Sequence, residues 1–194
     1  SKTGGFTHSG HVDNSDERGY ATSCNLGSFN IHRMLCLLES GNEKDFTRHA
    51  QTAVKFLTHV SEFADLQCSE LVQSGNYVKA AIGVGHMNLH GALLHRGLSY
   101  DSEEARELFR RYLANITLWM VSESVTLAAK PGGRKRGDQR MGDIGLWSDI
   151  IQDQTNWFKT LRPHLEPYVD NIVLNKVESR LREKGMWNLS LIHI

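Results

Sequence analysis

Cys24 is the residue of this 194-residue chain best placed to do chemistry. It lies in Tyr20-Ala21-Thr22-Ser23-Cys24-Asn25-Leu26-Gly27-Ser28-Phe29-Asn30-Ile31, a β-prone, partly alternating run that reads as a strand over 19–31 passing into a turn. A thiol on a rigid strand, with Asn, Gly and Ser directly after it, is held at a fixed distance from anything bound beside it. Composition alone gives Cys24 a plainer role, because sparse cysteines are mostly small buried hydrophobes.

Other residue types could serve metals or phosphates. His86, His90 and His95 fall in a segment, 86–96, that reads as a short helix stopped by Gly97. Four-residue spacing puts His86 and His90 on one face, where they could share a metal. No Glu stands between them as in zinc proteases, Gly91 weakens the helix, and a third ligand must come from elsewhere. Surface or hydrogen-bonded histidines are the simpler account. Gly83-x-Gly85 has a strand before it and a helix after it, as in a dinucleotide loop. The third glycine position is Asn88, however, and no acidic residue stands where a ribose needs one. These glycines therefore read as allowing close backbone packing. Gly132-Gly133-Arg134-Lys135-Arg136-Gly137 lacks the Gly-Lys-Ser/Thr ending of a phosphate loop. With Asp138 and Asp143 offsetting its charge, 132–145 reads as a solvated loop.

The elements that must position these residues follow from composition and periodicity. Lys plus Arg and Asp plus Glu each number 22, so the formal net charge is zero; 40% of residues are hydrophobic and 23% charged. That is globular composition, enough for one domain or a piece of a larger one. The charge balance argues against nucleic-acid or anionic-membrane binding by bulk electrostatics, and no apolar run is long enough to span a bilayer. Three cysteines without a C-x-x-C pair point to a reducing, cytoplasmic setting. Residues 1–18 read as a loop or disordered lead-in. Phe46, Ala50, Ala53, Leu57, Val60 and Ala64 recur on one face and predict a helix over 43–66 after the break at Ser40-Gly41-Asn42. A loop at Ser74-Gly75-Asn76 leads into a buried strand over 79–85. Asp101 to Glu104 supply a capping carboxylate and acidic first turn for a long helix to about Ala129, ended by Pro131-Gly132-Gly133. Helices follow over 146–154, 156–161 and 171–184, the last stopped by Gly185, and 186–194 reads as a strand. Strands joined by long helical crossovers make this an α/β layered or barrel domain. A chain that begins before one core strand and ends within another is expected to be a piece cut from a larger sheet.

Cys24-Asn25-Leu26-Gly27-Ser28 resembles the C-N-L-G/A-S segment of ribonucleotide reductase catalytic subunits. Ala81-Ile82-Gly83-Val84-Gly85-His86-Met87-Asn88-Leu89 is similar to that family's downstream strand-to-helix segment. Tyr100-Asp101-Ser102-Glu103-Glu104-Ala105 with its long helix follows in the family's order, as does Leu181-Arg182-Glu183-Lys184-Gly185-Met186-Trp187-Asn188-Leu189-Ser190. Four matches in one order span about 18–194.

The resemblance implies that 19–194 form part of a ten-stranded α/β barrel truncated at both ends. It implies an enzyme that reduces ribonucleotides to deoxyribonucleotides by thiyl-radical chemistry, with Cys24 one member of the cysteine pair that supplies two electrons and ends as a disulfide. Asn25, Leu26, Gly27 and Ser28 then line the nucleotide pocket. No cofactor is expected within the chain. The resemblance implies a radical from a separate metal-containing small subunit, rather than cobalamin, and ATP or deoxynucleotide effectors. Implied partners are the rest of the large subunit, that small subunit, thioredoxin or glutaredoxin, the ribonucleotide and a second large subunit. The family's N-x-C-x-E motif, which carries the radical cysteine, matches nothing in 1–23, and neither Cys36 nor Cys68 has the context of a partner for Cys24. The chain alone is therefore expected to be inactive. The competing reading is a non-enzymatic helical module that binds metal or a protein through its histidines.

Overall fold

The computed structural model describes residues 12–13, 20–21, 24–63, 70–141, 146–189 and 191–193. It opens with β1 (Val12–Asp13) and β2 (Tyr20–Ala21), antiparallel to one another; β1 falls inside the stretch expected to be a lead-in, and the rest of that stretch lies outside the described residues. There follow β3 (Asn25–Asn30), α1 (Ile31–Glu39), α2 (Glu43–Phe63), α3 (Glu70–Lys79), β4 (Ile82–Met87), α4 (Leu89–Leu94), α5 (Glu103–Ala128), α6 (Gly133–Met141), α7 (Trp147–Leu165), α8 (Asn171–Lys184) and β5 (Leu191–His193). Helices dominate. The strands β3, β4 and β5, in that order, form an open parallel sheet. Each parallel connection passes through helices, as parallel pairing requires. The α/β reading with long helical crossovers stands, and three strands do not close a barrel. Among the described residues no helix is long and apolar enough to cross a membrane.

The two longest helices form for the reasons their sequences give. In α2 the buried positions Phe46, Ala50, Val54, Leu57 and Ser61 recur every three or four residues, which turns one face to the sheet. Ser102 caps α5, accepting from the Ala105 N–H at 3.1 Å, and Glu103 and Glu104 sit at the positive end of the helix. Asp101, the carboxylate expected to cap, instead accepts from the Ser99 hydroxyl at 2.6 Å. Helix α5 is buried on two sides. Tyr112, Ile116 and Met120 join Val54, Ile82 and Val84 in the core under the sheet. Ala114, Leu118, Val121 and Val125 join Phe158, Leu174 and Leu181 in a second core with α7 and α8. Arg162 of α7 reinforces that second layer by pairing with Glu178 of α8 and donating to Asn175 Oδ1 at 2.8 Å.

Several boundaries differ from the sequence expectation. Ser74-Gly75-Asn76 is not a loop but lies within α3, where Gly75 and Asn76 are buried, so packing overrides the low helix propensity of these residues. Of the strand expected over 19–31, Tyr20–Ala21 and Asn25–Asn30 are extended, and Ile31 opens α1, which buries Ile31, Met34 and Leu35. The expected loop 132–145 is helical over Gly133–Met141. The two helices expected between 146 and 161 are one, α7, which extends through Pro163. The final strand is shorter than 186–194. Gly185, at φ +75°, stops α8 as expected. Residues 186–189 then thread between elements: Trp187 N–H donates to Ser124 O at 3.0 Å, and Leu189 N–H to Lys79 O at 3.0 Å. The ends of the 43–66 and 132–145 expectations, and Cys68, lie outside the described residues.

Candidate functional site

Strand β3 alternates strictly. Leu26, Ser28 and Asn30 are exposed, while Asn25, Gly27 and Phe29 are half-buried. Residues paired across a parallel ladder point to the same side of the sheet. The register Leu26 to Gly83, Ser28 to Gly85 and Asn30 to Met87 therefore puts these six on one face, open at Leu26, Ser28, Asn30 and Met87 and buried at Gly83. Asn25, Gly27 and Phe29 share the covered face with Ile82, Val84 and His86. That face rests on α2, close enough that a Cβ on Gly27 would lie 3.4 Å from Leu57 Cδ1. The glycines of Gly83-x-Gly85 face Leu26 and Ser28, so backbone rather than side chains floors the open face there. Of the four residues expected to follow Cys24 into a pocket, only Leu26 and Ser28 have side chains on this face.

Cys24 stands one residue before β3, at the same parity as Leu26 and Ser28. It is half-buried and free, with Sγ 4.0 Å from the Asn25 carbonyl oxygen. Burial pushes its thiol above the ordinary value, since desolvation disfavours the thiolate. Cys36 is also free, and it is exposed on α1.

At the carboxyl ends of β3 and β4 two asparagines meet. Asn30 caps α1, accepting from Arg33 N–H at 3.3 Å, and Asn88 Nδ2 donates to the same Asn30 Oδ1 at 3.3 Å. Asn88 adopts φ +67° just before α4, a conformation Asn tolerates better than most residues. Gly91 makes room for it, because a Cβ there would stand 2.1 Å from Asn88 Oδ1. Ligands of open α/β sheets bind outside such carboxyl ends. Sequence reasoning did not pair these asparagines, although an Asn immediately before a helix is the available signal.

The histidines follow the simpler account, one hydrogen-bonded and one exposed. β4 runs on to Met87, so His86 is a strand residue on the covered face rather than the start of a helix. Its Nδ1 lies 2.9 Å from the Tyr112 hydroxyl of α5, with the two rings edge-on and their centroids 5.4 Å apart. Burial pushes the Tyr112 hydroxyl well above its ordinary value. His90 is exposed on α4. Among the described residues no three His, Cys, Asp or Glu side chains are grouped to hold a metal.

The family model described as "Ribonucleotide reductase, barrel domain" matches residues 11–194. The chain belongs to that family. The relatives agree. A "Ribonucleoside-diphosphate reductase subunit alpha" of Bacillus subtilis (strain 168) is 34% identical over 120 residues, 62% of this chain and 16% of the relative. The subunit of the same name from Mycoplasma genitalium is 36% identical over 114 residues, 59% of this chain and 15% of the relative. That of Mycoplasma pneumoniae is 34% identical over 131 residues, 68% of this chain and 18% of the relative. The chain thus spans about a sixth of the length of the curated relatives it matches. In this family setting the open parallel sheet is a section of the barrel domain, and the oxidoreductase reading rests on the family rather than on any one residue.

Proposed function

We propose that the chain is a section of the catalytic subunit of a ribonucleoside-diphosphate reductase, and that Cys24 is one of its two reducing thiols. In the reaction a ribonucleotide loses its 2′-hydroxyl as water, and two thiols give up two electrons and two protons to become a disulfide. The observation that carries the reading is the position of the half-buried Cys24 at the foot of β3, in line with the exposed Leu26 and Ser28 and beside the glycine-floored strand β4. Leu26 and Ser28 contribute side chains to the nucleotide pocket, while Asn25 and Gly27 contribute backbone. The three strands are neighbouring staves of a ten-stranded barrel that the remainder of the subunit closes. The initiating radical comes from a separate metal-containing small subunit. Thioredoxin or glutaredoxin regenerates Cys24 by thiol–disulfide exchange, and the intact cytoplasmic subunit is a homodimer answering to ATP and deoxynucleotide effectors.

The test is Cys24→Ser in the intact subunit, assayed with its small subunit. Without external reductant, one turnover of the wild type should consume two titratable thiols per deoxynucleotide formed. The variant should lose multiple-turnover reduction while binding substrate normally. Undiminished turnover in the variant would remove Cys24 from the reaction.

A further inference from the structure

Helix α6 brings two cations to one indole. Arg140 is 2% exposed, with its guanidinium carbon 4.0 Å from the Trp187 ring centroid and 5.1 Å from that of Trp147. Arg136, one turn earlier, stands 5.2 Å from the same Trp187 ring. The indole faces satisfy the flat faces of the cations, but a guanidinium carries its N–H donors on its edges. Those edges are unmet. Among the described residues, Nε, Nη1 and Nη2 of Arg140 are buried without a hydrogen-bond partner, and so is Nε of Arg136. Arg136 Nη2 donates to Lys130 O at 3.3 Å. The nearby carboxylate, Glu62, accepts from the Trp187 indole N–H. Burial pulls Arg140 down to about 10, with Glu62 and Tyr77 working the other way. At neutral pH it still carries its charge.

Two like charges over one ring, with four buried nitrogens lacking acceptors, describe half of an ion-binding site. We propose that the edges of Arg136 and Arg140, beside Trp187, hold a small tetrahedral oxyanion of the phosphate class. Guanidinium forks match oxyanions in paired hydrogen bonds. A tetrahedral ion can turn a separate pair of oxygens to each fork, whereas a carboxylate has to share its two oxygens between them. The enclosure of Arg140 restricts the ligand to a small ion and excludes a whole nucleotide. Half-buried Arg136, flanked by exposed Arg134 and Lys135, marks the side of entry.

Equilibrium dialysis of the intact, nucleotide-free subunit against labelled inorganic phosphate tests it, with ionic strength fixed by chloride. The wild type should bind one more phosphate per subunit than Arg140→Met, which keeps an apolar stem against the tryptophans. Arg136→Gln, at the half-buried rim, should weaken that binding about tenfold or more, and neither change should alter substrate nucleotide binding. Should Arg140→Met fail to fold, Arg136→Gln alone decides. Equal phosphate uptake by the wild type and either variant overturns the site.

Discussion

A thiol that burial keeps protonated is a slow nucleophile at neutral pH, and Cys24 is in that position. The folded state favours the neutral form. Whatever stability that preference supplies is therefore full below the unfolded-state pKa and lost as pH rises through the raised folded value. Alkylation by iodoacetamide should follow the same titration. Exposed Cys36 supplies the internal reference, and Cys24 should react more slowly than Cys36 at pH 7. Its rate should reach half-maximum above the ordinary thiol value. Peptide mapping of the labelled protein across pH reads both sites in one experiment, and a Cys24 profile centred at or below that value would contradict its burial. Gly137 presents a different residue-scale balance. A Cβ there would stand 2.7 Å from Trp147 Cδ2, and Trp147 is 1% exposed and confined. Replacing a helical Gly by Ala gains about 1 kcal/mol of propensity, whereas crowding a packed core costs about 1–3 kcal/mol. Gly137→Ala should therefore be destabilising on balance, seen as lost amide-exchange protection in α6. Unchanged or increased protection would show that Trp147 can yield.

Between elements, the segment after α8 acts as a lock. Asn188, 1% exposed, donates from Nδ2 to Thr58 Oγ1 of α2 at 2.8 Å and to Ala80 O at 2.9 Å. Its Oδ1 accepts from Ser124 of α5 at 2.8 Å, and its N–H reaches the same hydroxyl at 3.0 Å. Ala80 is held at φ +44°, a left-handed conformation that costs a non-glycine residue about 1–2 kcal/mol. Asn188→Ala would leave the buried Ala80 carbonyl without its donor, at about 1–3 kcal/mol, while the Thr58 hydroxyl keeps Val54 O and the Ser124 hydroxyl keeps the backbone N–H of residue 188. Exchange protection should fall at the start of β4 and in the adjoining turns of α2 and α5, and much less in α8. A uniform loss across all helices would mean that Asn188 is not local to this junction. This lock was hidden in the sequence, because its partners lie 64 to 130 residues away. By contrast, α2 and α5 were legible, since their apolar spacing and polar caps are local facts. Helix α6 was not. Its residues are mostly glycine and charge, with a single buried Met141 and no apolar stripe, and what fixes them is Trp147 seated against Gly137 and the indoles under Arg136 and Arg140. His86 was misplaced for a related reason, as a polar residue after a glycine pair looks like a strand's end, while Tyr112 on a distant helix gives it a covered place in β4. At the candidate site, the run from Cys24 to Ser28 was legible as a unit. Its division between two faces needed the register with Gly83 and Gly85.

At the scale of the whole molecule, the sheet and the charge balance bear on what this chain does by itself. Among the described residues β3 pairs only with β4, so its other edge offers a row of backbone donors and acceptors. The open face beside it carries Leu26 at 66% and Met87 at 54% exposure. With a formal net charge of zero, electrostatic repulsion does little to keep copies apart. The 194 residues expressed alone should therefore self-associate in a concentration-dependent way by about 100 µM. Leu26→Lys should reduce that association by placing a charge on the open face next to the edge, one of the devices natural sheets use to stay separate. Helix content should not change, because position 26 lies away from α2 and from both cores. Sedimentation velocity across a concentration series distinguishes the outcomes: a wild-type chain that stays monomeric throughout would show that the edge and face are already protected. The same preparation should convert no CDP or ADP to a deoxynucleotide, because in the role proposed for it Cys24 supplies electrons and does not carry the radical. Measurable turnover by this isolated chain would require a second reactive centre within it, and the division of labour proposed for Cys24 would have to be redrawn.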